Sequence, residues 1–169
     1  AGGAYFGSGS AKQSFRRYAW RKLRFRNAFA RDGYGGAIYV RRMRVHIDTA
    51  EFHNTSTVSR GGAIALESVD NASLVNVAIT KSSAREEGGG VFLMQTRAHV
   101  DNLRVANSES RSGGALAGLG SNITATSVTM RDLYAEEFGG AIWLLRQASL
   151  EATDLTIENS SAADQGGAV

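Results

Sequence analysis

Sixteen carboxylates, three histidines and no cysteine bound the chemistry open to this chain of 169 residues. Glycoside hydrolysis needs two facing carboxylates, and lyase chemistry needs a carboxylate-bound Ca²⁺ beside a proton acceptor. The acids that stand out are Glu86-Glu87 and Glu136-Glu137, each just before a glycine pair, and Asp48 and Asp101, each 13 residues after the start of one. Both sets are split by an intervening unit of the chain, which carries Leu74 at the Asp position, so they read as solvated turn residues. His46, His53 and His99 share no local carboxylate pattern and read as surface strand positions. Gly7 to Lys12 (GSGSAK) lacks the G-x-x-x-x-G-K-[ST] spacing of a phosphate loop. Without cysteine there is no disulfide framework, zinc-thiolate site or thiol nucleophile. No catalytic, cofactor or metal residue is expected, and the chain reads as non-enzymatic.

The segment with an evident binding character is Ala11 to Arg26, AKQSFRRYAWRKLRFR. Phe15, Tyr18 and Trp20 alternate there with Arg16, Arg17, Arg21, Lys22 and Arg24, a mixture suited to an acidic protein surface or to lipid headgroups. The charge distribution makes this segment exceptional. Residues 1 to 46 hold 11 Lys or Arg against the single acid Asp32, whereas residues 47 to 169 hold 8 bases against 15 acids. An acidic body repels phosphate, which disfavours nucleic acid as the partner. A structural alternative for the aromatics is that they cap an open end of the core.

What must position these residues is a repeat. Gly-Gly followed by a small residue starts at Gly2, Gly35, Gly61, Gly88, Gly113, Gly139 and Gly166, with spacings of 26, 27, 25, 26 and 27 after a first unit of 33. Each pair leads into a short apolar run (GGAIYV, GGAIAL, GGGVFL, GGALAGL, GGAIWLL). A weaker run follows near Val45, Leu74, Val100, Ile123 and Leu150. A third closes the unit at Leu23 to Asn27, Ala50 to Asn54, Val77 to Lys81, Leu103 to Asn107, Val128 to Asp132 and Leu155 to Asn159. The alternation has period 2, and β-branched residues abound, which argues for strands and against a helical solenoid; the unit is too short for a propeller blade. Strands this short close a core only by stacking.

The expected fold is all-β: a single-stranded right-handed parallel β-helix of about six coils of 25–27 residues. Residues 1–34 form a first coil with the basic aromatic insertion, and residues 35–169 form the regular coils. Gly35, Gly36, Gly61, Gly62, Gly113, Gly114, Gly139 and Gly140 serve tight corners, through a positive φ or through close approach of neighbouring coils. Ala37, Ala63, Gly90, Ala115, Ala141 and Ala168 then point inward. Asn27, Asn54, Asn107 and Asn159 build a stacked side-chain ladder that Lys81 and Asp132 interrupt. Ile38, Ile64, Val91, Leu116 and Ile142 form one core column, and Phe25, Phe52, Ile79, Val105, Met130 and Ile157 another.

Phe52 to Ile64 (FHNTSTVSRGGAI) and Ile157 to Val169 (IENSSAADQGGAV) resemble the paired F-x-x-N and GGA[I/L/V] repeats of chlamydial polymorphic outer-membrane proteins; similar repeats occur in algal and protist β-helix proteins. The resemblance spans nearly the whole chain after residue 20. It departs from the family in placing Asn two residues after the aromatic position, and only Phe25 and Phe52 keep Phe. It implies a β-helical passenger involved in adhesion, with an outer-membrane barrel to follow.

The sequence thus leads to a scaffold or interaction module of a larger assembly. It would dock through Phe15, Arg16, Arg17, Tyr18, Trp20, Arg21, Lys22 and Arg24 onto a protein partner with an acidic surface, at a membrane surface or elsewhere. An adhesin-like passenger segment and a polysaccharide-active enzyme are the competing expectations. No apolar run is long enough to span a bilayer. Sequons at Asn54, Asn71, Asn122 and Asn159 fit a cell surface or organelle lumen. The Gly-Gly repeats at both ends read as open ends of a segment from a longer chain.

Overall fold

The computed structural model describes residues 4–8 and 17–169. In chain order the strands are β1 (Ala4–Ser8), β2 (Arg17–Arg26), β3 (Phe29–Ala30), β4 (Ile38–Arg41), β5 (Arg44–His53), β6 (Ser56–Thr57), β7 (Ile64–Glu67) and β8 (Ala72–Thr80). They continue with β9 (Ser83–Ala84), β10 (Val91–Met94), β11 (Arg97–Ser112), β12 (Leu116–Leu119), β13 (Asn122–Phe138), β14 (Ile142–Leu145) and β15 (Ser149–Ala162). Every strand pairing is parallel. No helix occurs among the described residues.

The short strands that follow the glycine pairs stack as one sheet in the order β1-β4-β7-β10-β12-β14. The long strands β2, β5, β8, β11, β13 and β15 stack as a second sheet, which also carries a narrow side built from β3, β6, β9 and the far halves of β11, β13 and β15. The result is a β-solenoid of about five turns, one fewer than the coil count expected from the glycine pairs. Arg17 pairs with Arg44 at the spacing of a regular coil, whereas Ser8 pairs with Arg41 at a longer one.

Four stations per coil hold a positive φ. The first is the leading glycine of each pair, from Gly35 to Gly166. The second is Arg42, Ser68, Gln95, Gly120 and Arg146; the third is Lys22, Thr49, Asn76, Asn102, Ser127 and Asp154; the fourth is Asn27, Asn54, Lys81, Asn107, Asp132 and Asn159. Each is a left-handed residue that redirects the chain in one step. The third station breaks the long strands into two arms, so the two apolar runs seen in the sequence as separate strands share one strand with a corner in it.

At Gly61 and Gly62 the two members of the pair do different work. Gly61 has φ +72°, whereas a Cβ on Gly62 would collide with the carbonyl oxygens of Gly89 and Ser83 in the next coil. Ala37, Ala63, Ala115 and Ala141 follow their pairs fully buried, facing the interior as expected. Both core columns form in the expected register: Ile38, Ile64, Val91, Leu116 and Ile142 are consecutive strand partners, as are Phe25, Phe52, Ile79, Val105, Met130 and Ile157.

Ile79 is fully buried at the centre of its column. Ile79→Ala should lower stability by about 2 to 5 kcal/mol in chemical denaturation, the range for a truncated core aliphatic. Gly62→Ala should cost about 3 kcal/mol or more, because two coils must move apart to admit one methyl. An unchanged denaturation midpoint for either variant would refute the register.

Candidate docking surface

The first coil carries most of the residues that the sequence singles out for binding, and β2 sorts them by face. Arg17, Arg21, Arg24 and Arg26 point outward and are exposed, while Tyr18, Trp20, Leu23 and Phe25 face the interior side. Lys22 sits at the corner with φ 54°. Phe15 and Arg16 lie outside the described residues. From Arg17 onward the basic aromatic stretch is therefore an ordinary coil in register with β5, and not a loop projecting from one face.

Trp20, Leu23 and Phe25 pack on the central core cluster yet remain only partly buried. Phe25 stacks on Phe52 with ring centroids 5.2 Å apart, and Tyr18 tilts against Trp20 at 6.0 Å. The cause is topological: among the described strands, β2 has a neighbour on one side only. Its inner side chains thus act as the end layer of the core.

The arginines are not equivalent. Arg24 pairs with Glu51 at 3.1 Å, and Arg21 reaches Asp48 at 3.9 Å, both in the next coil. The Asp48 carboxyl is held below its ordinary range by hydrogen bonds from Thr49 and Asn76, with Arg21 adding to the effect. Arg17, Lys22 and Arg26 have no ion pair with a described carboxylate. The coil from residue 17 to 34 holds six cations and one acid, Asp32.

Cross-coil pairing also takes up Glu86, Glu87 and Glu137 among the carboxylates that stood out in the sequence. Arg60 binds both Glu86, at 2.8 Å, and Glu87, and its guanidinium lies over the rings of Tyr34 and Phe92 at 5.8 and 5.3 Å. Arg111 holds Glu137 at 2.7 Å, which raises the arginine pKa. Asp48 and Asp101 are separated in register by Val75 rather than Leu74, because that coil has one more residue between its second and third corners. No group of three or more His, Asp or Glu among the described residues could hold a metal.

At the fourth corner the side-chain ladder forms as two separate pairs. Asn54 donates to Asn27 at 2.7 Å, and Asn159 donates to Asp132 at 3.1 Å, so Asp132 joins the ladder instead of interrupting it, while Asn107 shares the corner without a ladder bond and Lys81 separates the two pairs. A second ladder at the third station was missed: Asn102 donates to Asn76 at 2.8 Å, and Asn76 to Asp48 at 3.4 Å. Its signal was present, since Asn76 and Asn102 each precede the Lys81 and Asn107 corners by five residues. His46 and His99 share one outer column on either side of Ser73, and His46 Nδ1 lies 2.9 Å from Ser73 Oγ.

Two further surface features lie away from the first coil. On the outer side of the glycine-led sheet, Tyr39 donates a 2.5 Å hydrogen bond to Glu67, which Arg41 also binds at 3.0 Å. Burial, then this bond, push the Tyr39 hydroxyl well above its ordinary range. On the narrow side, a groove of about 400 Å³ runs between exposed Phe29 and Tyr134 over Ser56, Ser83 and Glu109.

No family model, characterised protein or solved structure matches this chain.

Glu87 gives a pH-dependent check on the Arg60 cluster. Burial, with repulsion from Glu86, raises its pKa despite the opposing pull of Arg60. The fold therefore prefers protonated Glu87, and this group's favourable contribution is present at low pH and lost as pH rises through its folded pKa. Glu87→Gln should match the wild type in acid and become relatively more stable as pH is raised to neutrality, as read from thermal midpoints across pH. A midpoint difference that does not vary with pH would contradict this account.

Proposed function

We propose that this chain is a non-enzymatic β-solenoid scaffold that docks through its first coil onto a protein partner presenting an acidic, strand-like edge. The observation that carries the proposal is β2. Among the described strands it is an edge strand, its inner aromatics, Trp20 and Phe25, stay partly exposed, and its Arg17, Lys22 and Arg26 have no described carboxylate partner. An unpaired strand edge is a template for another strand, and pairing along it supplies main-chain hydrogen bonds. Partly exposed Trp and Phe in such a place are the kind of anchors that concentrate interface energy, and flanking cations steer an acidic partner into register. The lateral faces support the same reading from the other direction. Of their prominent carboxylates, Glu86 and Glu87 are held by Arg60, Glu137 by Arg111 and Asp48 by Asn76, an arrangement suited to rigidity more than to proton transfer.

The test is site-specific photo-cross-linking in the source cell, with the reactive group at Lys22 on the first coil or at exposed Arg104 on the lateral sheet. Lys22 should capture a protein through an acid-rich peptide, and Arg104 should not. Replacing Arg17, Lys22 and Arg26 with Gln should weaken association with that protein by roughly tenfold or more and flatten its salt dependence, with the fold intact. Capture at Arg104 alone, or unaltered binding by the Gln variant, would refute the proposal.

A further inference from the structure

Among the described residues the exposed large hydrophobics are Phe29, Val58, Tyr134, Leu145 and Val169, and the first three line one groove of about 400 Å³ on the narrow side. Solubility alone would not gather them on one lateral face. The register shows how they come together. Phe29, Ser56, Ser83, Glu109 and Tyr134 are successive strand partners. Thr55 and Thr57, on either side of Ser56, are buried, as are Ser108 and Ser110 beside Glu109, so this column faces outward. Tyr134 has a coil on each side, with Glu109 and Ser161 as its partners, so its exposure comes from its outward direction and not from a chain end. Coil steps of about 4.8 Å place the Phe29 and Tyr134 rings roughly 19 Å apart along the axis.

Between the rings the groove is small and polar. Ser83 and Ala84 lie in its middle stretch, and Arg85, Glu109 and Glu136 also line it. None of these three charged residues has an ion pair with another described residue, in contrast to Glu86, Glu87 and Glu137 beside them in the chain. The backbone, however, is fully engaged in stacking. The amides of Ser56, Ser83, Arg85 and Glu109 donate to Ala28, Thr55, Thr57 and Ser82 of neighbouring coils.

These features select a ligand. A peptide laid along the groove would cross the strands and find no main-chain template, which removes the usual source of affinity for an extended peptide. A nucleic acid would bring its phosphates against Glu109 and Glu136. What fits is a long, uncharged molecule, flat and apolar on one face and rich in hydroxyls at its edges. A chain of pyranose rings has this character. Its C–H face stacks on the electron-rich face of an aromatic ring, and its hydroxyls donate to carboxylates and exchange hydrogen bonds with serine. The repeat of an extended sugar chain is close to one coil step, so successive units meet the column nearly in phase.

We propose that the narrow-side groove is a binding site for a neutral, extended oligosaccharide, with Phe29 and Tyr134 as stacking platforms and Ser56, Ser83 and Glu109 as the polar contacts between them. The site lies on a lateral face and does not rest on the docking role of β2. Stacking supplies affinity, the spacing of the two rings sets the length of chain recognised, and the glutamates disfavour acidic sugars.

The experiment is affinity electrophoresis of the full 169-residue chain through gels containing a mixed-linkage β-glucan, a galactomannan or an arabinoxylan, with polygalacturonate as the acidic comparison. At least one neutral polymer should retard the protein, and polygalacturonate should not. In calorimetry, a hexasaccharide from the retarding polymer should bind roughly tenfold or more tightly than its disaccharide, because only the longer chain reaches both rings. Phe29→Ala and Tyr134→Ala should remain folded by circular dichroism and each weaken the hexasaccharide by roughly tenfold. Tyr134→Phe should keep most of the affinity, and Leu145→Ala, on the glycine-led sheet, should leave it unchanged. If Phe29→Ala loosens the first coil, Tyr134→Ala still decides, since its strand is paired on both sides. The proposal is overturned if no neutral polymer retards the chain, if polygalacturonate alone does, if affinity does not depend on oligosaccharide length, or if folded Tyr134→Ala binds like the wild type.

Discussion

Everything in this molecule depends on successive coils lying in register at the spacing of hydrogen-bonded strands, about 4.8 Å. That spacing leaves no room for a Cβ where the second glycine of one coil faces the carbonyl of the next, as at Gly62 and Gly89. It also requires each coil to turn at the same places as its neighbours. Among the described residues, seventeen other than glycine adopt a positive φ, all but Gln147 at these shared corners. Each costs on the order of 1 kcal/mol, and the surrounding hydrogen bonds and packed columns must offset it. Eight of the seventeen are Asn or Asp, the residues best suited to the conformation, and Thr49 is the least suited.

The same registration governs the electrostatics. A chain with 11 bases and one acid in its first 46 residues would repel itself if those charges stayed together. Stacking places Arg21 and Arg24 against Asp48 and Glu51, so part of that excess charge is offset between the first two coils. Farther along, Arg41, Arg60 and Arg111 each bind a glutamate of the following coil. Exposed pairs of this kind contribute little to stability individually. They disfavour a slipped register, in which the arginines would lose their acids, and so act mainly on specificity.

How legible this was in the sequence follows from which signals stacking repeats. The glycine pairs and the columns through Ile79 and Val91 recur with nearly constant spacing, and both were readable because a buried position tolerates few residue types. The third corner was not readable, since Lys22, Thr49, Asn76, Asn102, Ser127 and Asp154 share a backbone angle but no side-chain class. The narrow fourth side was hidden for a similar reason: Thr55, Ser82 and Ser108 are polar yet buried, and Ser82 and Ser108 bond to each other at 2.9 Å, which removes the apolar mark of a core strand. At the docking surface, residue types disclosed charge and aromaticity. Only the register revealed that Arg21 and Arg24 are already engaged while Arg17, Lys22 and Arg26 are not.

In a solenoid, stability is close to a sum of coil terms and nearest-neighbour interfaces, and an interior coil has two such interfaces. The first coil has one among the described strands, which explains why Trp20, Leu23 and Phe25 remain partly exposed while their column mates Ile47, Ala50 and Phe52 are buried. A docked partner would supply the missing interface. Binding there and ordering of β2 are then a single equilibrium, because whatever pairs with the edge strand also completes the end layer of the core. Such a coupling would account for one segment combining features that usually belong to separate places, the large side chains of a core and unpaired outward charges. On the docking role proposed above, the inward side of β2 would serve stability and its outward side selection, and the alternation of a strand keeps the two on opposite faces.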